Sequence, residues 1–112
     1  MKLPRDLPSP LVDQLCERFK ALAEPARIQL LATLRLGEQS VTDLVERTGL
    51  GQANVSRHLQ QLMSAGFIRR RKEGTFAYYS LADEDVLKLC DIMCGRIDAD
   101  VREQRQGLRT VR

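Results

Sequence analysis

Three cysteines are the residues of this chain best suited to chemistry. Cys90 and Cys94 stand four apart in the stretch "LKLCDIMCGR", residues 87–96, and Cys16 lies near the other end. On a helix a four-residue step places two side chains on one face. Thiolates are soft donors that suit soft metal ions. Cysteine is also a small apolar residue that packs well in interfaces, so a ligand role and a packing role both stand. A Cys90–Cys94 disulfide fits poorly, because helical i,i+4 geometry directs the two Cβ atoms badly. The chain has one histidine, His58, with no ligand partners around it. A structural hydrogen bond is the role expected of it. There is no nucleophile–base–orienter set, no phosphate-cradling glycine loop and no complete metal-hydrolase motif, which points away from an enzyme.

A second group of residues suits recognition. In "GQANVSRHLQQLMSAG", Val55, Leu59 and Leu62 recur at i, i+4 and i+7 and form one apolar stripe. The other side of that helix offers Gln52, Ala53, Ser56, Arg57 and Gln60, groups able to reach base edges or phosphates. Beyond Gly66, "FIRRRKEGTFAYYSL" changes to strand character around an "EGT" turn, which predicts a β-hairpin. Its tip is expected to carry Arg69, Arg70, Arg71 and Lys72 against one Glu73, a local balance as positive as the +3 of the entire chain. The arginines and the lysine of this ribbon can contact backbone phosphates or enter a minor groove. A basic strand edge guarded against aggregation is the plainer alternative. Tyr78 and Tyr79 alternate across a strand, so one belongs in the core and the other outside.

These groups need elements to position them. Residues 1–10 hold three of the four prolines and read as an extended arm. A compact domain over 11–97 follows, and 98–112 reads as a charged tail, either a frayed, solvated helix or disordered. Leu11, Val12, Leu15, Phe19 and Leu22 mark a first helix, with Cys16 beside the stripe. Pro25 opens a second, which presents Ile28, Leu31, Ala32 and Leu34. Ser40 and Asp43 resemble a capping box that starts a short helix carrying Val41, Leu44 and Val45. Gly49 permits a tight left-handed turn into the helix from about Gln52 to Ala65. A last helix from Asp83 carries Val86, Leu89, Cys90, Met93, Ile97 and Val101 on one seam, with Gly95 placed to bend or end it. The fold class is mostly α with a small β-hairpin wing, a winged helix-turn-helix.

The chain has 112 residues, 43% of them apolar, enough for one domain with a small core. A small core leaves apolar faces uncovered, so oligomerisation is expected. The stretch "MKLPRDLPSP" lacks a hydrophobic segment, and no run is long enough to span a membrane. A cytoplasmic protein with reduced thiols is the expectation.

The residues "VTDLVERTGLGQANVSRHLQQLMSAGFIRRRKEGTFAYYSL" resemble the ArsR/SmtB family of bacterial winged-helix repressors, and the similarity runs from about Leu15 to Leu89. The resemblance implies a homodimer through the first and last helices, bound to a double-stranded DNA operator of two-fold symmetry. Half-sites would lie about one helical turn apart, ~34–36 Å. The resemblance places Gln52, Asn54, Ser56 and Arg57 in the DNA-recognition helix and Arg71, Lys72 and Thr75 in the wing, and it implies an inducer that lowers DNA affinity. Arsenic and cadmium members carry C-V-C-D-L where this chain reads Ser40-Val41-Thr42-Asp43-Leu44, so that site has no thiol. Zinc members use two acid/histidine pairs on the last helix. Asp83 and Asp85 suit the first pair, but Arg96 and Ala99 occupy the second. Persulfide-sensing members carry a cysteine in the second helix, where Ala32 stands here. In this family the first and last helices pack together, which would let Cys16, Cys90 and Cys94 converge. Trivalent arsenic or antimony would be the expected inducer of such a site, ahead of Pb(II), Hg(II) or Cd(II), with no resident cofactor required. A thiol-based redox or sulfide-responsive repressor and a regulator without ligand are the alternatives.

Overall fold

A computed structural model describes the backbone of residues 3–110, with side chains to residue 107. The chain forms two compact units, divided between Ala82 and Asp83. The first holds α1 (Ser9–Leu22), α2 (Pro25–Leu34), β1 (Gln39–Ser40), α3 (Val41–Thr48), α4 (Gln52–Ser64), β2 (Ile68–Glu73) and β3 (Phe76–Leu81). The second is one helix, α5 (Asp85–Thr110).

α1 begins two residues earlier than the sequence suggested. Ser9 and Pro10 lie in its first turn, where a proline's missing N–H is no loss. α1 buries Ala21 and Leu22, half-buries Leu11 and Leu15, and leaves Val12 and Phe19 exposed. α2 departs from the expected face. Leu30, Leu31 and Leu34 are buried, whereas Ile28 and Ala32 are exposed. This helix is apolar around most of its circumference and meets α3, α4 and β3 as well as α1. Periodicity alone could not select its inward side.

Ser40 starts α3 with the expected capping box. Its Oγ accepts from the Asp43 N–H at 3.1 Å, and the Asp43 carboxylate accepts from the Ser40 N–H at 3.1 Å. Gly49 ends the helix at φ 74°, a left-handed conformation costly for any residue with a Cβ. The hairpin is real, but β1 extends it to a three-stranded antiparallel sheet in the order β1-β3-β2. Gln39 pairs with Tyr79 and Ser40 with Tyr78; a two-residue strand leaves no periodicity to read. Tyr79 is buried and Tyr78 half-buried.

α5 runs unbroken through Gly95 and through 98–110, so the described part of the expected tail is regular helix. Two i,i+4 ion pairs support it, Arg96–Asp100 at 3.0 Å and Arg102–Asp98 at 3.2 Å. Leu89, Ile92, Met93, Ile97 and Val101 are exposed along α5. Residues 1–2 and 111–112, the ends of the expected arm and tail, lie outside the described residues. Among the described residues no helix is long and apolar enough to cross a membrane.

Candidate nucleic-acid interface

α4 divides sharply into two faces. Val55, Leu59 and Leu62 are 0% exposed and His58 is 7% exposed. Gln52, Ala53, Asn54, Ser56, Arg57 and Gln60 are all exposed, as the sequence indicated. The Arg57 guanidinium donates to Asn54 Oδ1 at 3.2 Å, which holds two of these groups one helical turn apart. α4 packs on α2 and α3, so the polar face is presented from a seat built by both helices.

His58 makes the structural hydrogen bond expected of it, with a partner the sequence did not indicate. Arg27 Nε donates to His58 Nδ1 at 3.2 Å. The same guanidinium donates to the Lys20 and Ala21 carbonyls at the end of α1, at 3.3 and 3.2 Å. One arginine on α2 thus ties α4 to α1. Burial pushes the His58 pKa down, and the charges of Arg57 and Arg27 push the same way against a smaller opposing effect of Glu24. The ring is neutral at pH 7, as an acceptor at Nδ1 must be. A groove of about 550 Å³ opens beside this junction, lined by groups including Asp13, Glu17, Arg18 and Gln61. It carries charges of both signs and no thiol.

In the wing the four cations lie along β2 rather than at the tip, which is Gly74 and Thr75. Arg69, Arg70 and Lys72 are exposed, and their side chains have no ion-pair or hydrogen-bond partner among the described residues. Arg71 differs. It binds Glu38 through two nitrogens, at 2.7 and 3.1 Å, and Glu73 at 2.6 Å. Its guanidinium also lies 4.9 Å from the centre of the Tyr78 ring. The Arg71 hydrogen bond and charge hold the Glu38 carboxyl below the usual carboxylate range.

Cys16, on α1, is exposed in the first unit; Cys90 is half-buried and Cys94 exposed on α5 in the second. Among the described residues of either unit, no three of His, Cys, Asp and Glu are grouped as a metal site requires. At the family's zinc position Arg96 is engaged by Asp100, so that half of the site holds a cation in place of a ligand.

A capped helix, a glycine turn, a helix with a polar outer face and a basic hairpin define a winged helix-turn-helix module. Residues 24–70 match the family model described as bacterial regulatory protein, arsR family. The chain is 40% identical over 84 residues to an HTH-type transcriptional regulator of Mycobacterium tuberculosis, an alignment covering 75% of this chain and 37% of that protein. It is 37% identical over 79 residues to the arsenical resistance operon repressor of Bacillus subtilis, covering 70% and 75%. A solution structure of a homodimeric winged helix-turn-helix DNA-binding domain from Mycobacterium bovis superposes with a TM-score of 0.74 at 37% identity, covering 88% of this chain and 91% of that one. The chain belongs to the ArsR family, whose members are DNA-binding transcriptional regulators and not enzymes. It spans little more than a third of the length of the M. tuberculosis regulator.

Proposed function

We propose that the protein is a homodimeric DNA-binding repressor that a thiophilic inducer releases from its operator. The exposed polar face of α4 carries this reading. Gln52, Asn54, Ser56, Arg57 and Gln60 would meet the major groove, Ala53 would pack on a base edge, and the wing with Lys72 and Thr75 would follow the backbone. Exposed Val12 and Phe19 on α1, and the exposed apolar residues of α5, support assembly with a second copy, as in the M. bovis domain.

Trivalent arsenic or antimony is the inducer that three thiolates suit best, with Cys16, Cys90 and Cys94 as donors. The exposed Cys16 and Cys94 thiols support it, since neither is spent on packing within the chain. The same exposure supports a second reading, in which a peroxide takes two electrons and two protons from Cys16 and either Cys90 or Cys94 and leaves them joined as a disulfide, the peroxide being reduced to water.

The test is fluorescence anisotropy on a duplex carrying the promoter upstream of the protein's own gene. Asn54→Ala and Arg57→Ala should each weaken binding by ~5- to 150-fold. Wild-type affinity in both variants would refute the DNA face. Arsenite should release the wild-type protein and leave a Cys16/Cys90/Cys94→Ser variant bound. Equal release of both would overturn the thiol site. Release by peroxide or persulfide but not by arsenite would favour the redox reading.

A further inference from the structure

The wing holds four cations in sequence, and the side chains of three of them face solvent with no ion-pair or hydrogen-bond partner among the described residues. Arg71 is the exception, and its partners come from two directions. Glu73 lies on its own strand, whereas Glu38 lies 33 residues earlier, immediately before β1 and the Ser40 cap of α3. A two-nitrogen contact to a carboxylate fixes orientation as well as distance. Tyr78, directly across the ladder from Arg71, supports the guanidinium from below. We infer that Arg71 is a positioning residue that fixes the wing to the start of the helix-turn-helix, and that Arg69, Arg70 and Lys72 make the phosphate contacts.

This inference rests on the DNA-binding reading above. Arg71 is already satisfied by two carboxylates. Three of its five N–H donors are taken, one on each nitrogen, so a two-nitrogen grip on a phosphate would displace at least one carboxylate and leave it uncompensated beside a polyanion. Arg70 and Lys72 alternate with Arg69 and Arg71 along β2, so the unpaired cations project from both faces of the ribbon. The clamp therefore reserves one cation for geometry and leaves three for charge. An exposed ion pair adds little to stability. Its value here is to restrict the wing before DNA arrives, which lowers the cost of ordering on binding.

The experiment is anisotropy with a labelled, non-specific duplex of about 30 base pairs, across about 50–200 mM salt. Arg70→Gln and Lys72→Gln should each reduce the slope of log K against log salt by ~0.9 for each phosphate no longer neutralised. Glu38→Ala gives the decisive sign. It removes a negative charge near DNA, so charge alone predicts tighter binding. Loss of the clamp predicts binding about two- to tenfold weaker with the slope unchanged. Arg71→Lys keeps the charge and loses the two-nitrogen fork, and should weaken binding as Glu38→Ala does. Tighter binding by Glu38→Ala together with wild-type affinity in Arg71→Lys would overturn the clamp and make Arg71 a direct contact. A wild-type protein without salt-dependent affinity would overturn the DNA reading itself.

Discussion

Leu59 and Gln60 are adjacent on α4, and the structure assigns them opposite consequences. Leu59 is 0% exposed between Val55 and Leu62, which are equally buried. Truncation to alanine at such a site costs ~2–5 kcal/mol, depending on how far the surroundings collapse. α4 is held by both α2 and α3, whose Leu30, Leu31, Leu34 and Leu44 are themselves fully buried. A seat fixed from two sides relaxes little, so the upper half of that range is expected. Against a total stability of ~5–15 kcal/mol this is a large fraction. With a urea dependence of ~1–3 kcal/mol per molar, the unfolding midpoint of Leu59→Ala should fall by at least 1 M, on the order of what that cost requires. Gln60→Ala removes an exposed side chain and should leave the unfolding free energy within about 0.5 kcal/mol of wild type. Its operator affinity should nevertheless fall by ~1–3 kcal/mol if the amide reads a base. Circular dichroism melts at one fixed protein concentration, with operator anisotropy on the same samples, separate the two. A Gln60→Ala protein that melts early, or a Leu59→Ala protein that melts with wild type, would show that α4 is turned the other way.

Two further outcomes follow from the supports of α4. Ser40→Ala removes one half of the capping box of an eight-residue helix and should cost ~1 kcal/mol in a urea melt, with Ser40→Gly restoring most of it. His58 makes stability depend on pH. Its folded pKa lies below the 6.5 of the free side chain, so the unfolded chain binds the proton more readily. Stability is therefore full above about pH 6.5 and falls as pH drops toward the folded value. His58 is the only histidine, and carboxylates titrate mainly below about pH 5, so urea midpoints between pH 5 and 7 isolate it. A His58→Gln variant should show a flat profile in that window; a slope equal to wild type would remove His58 as the cause.

The helix-turn-helix was legible because its signals are local. Ser40 and Asp43 are three apart, Gly49 marks one turn, and Val55, Leu59 and Leu62 repeat at helical spacing. The inward side of α2 was not legible, because several faces of that helix are apolar and contacts on more than one side select among them. For 98–110 the sequence left two alternatives, a frayed, solvated helix or disorder. Mixed charge does not choose between them until Arg96–Asp100 and Arg102–Asp98 are seen as i,i+4 pairs. The polar face of α4 could be named from sequence, but not what holds it and the wing in place. Arg27 finds His58 across 31 residues, and Arg71 finds Glu38 across 33. No periodicity records a pairing of two single side chains so far apart.

The capping box also bears on how an inducer could work. Where thiol-bearing members place their C-V-C-D-L box, this chain has Ser40 and Asp43, and each gives its side-chain acceptor to the other's backbone N–H. The start of α3 is spent on helix geometry, and no soft donor remains there. None of the three cysteines lies on α3 or α4. On the proposed reading, then, an inducer bound by thiols touches neither the recognition helix nor the turn before it. A ligand shifts an equilibrium only by its differential affinity for the two states. The states it distinguishes must therefore differ around α1 and α5, the helices that bear the thiols and the exposed apolar residues. Release from DNA would be a consequence of altered assembly, with the binding face of α4 left chemically unchanged.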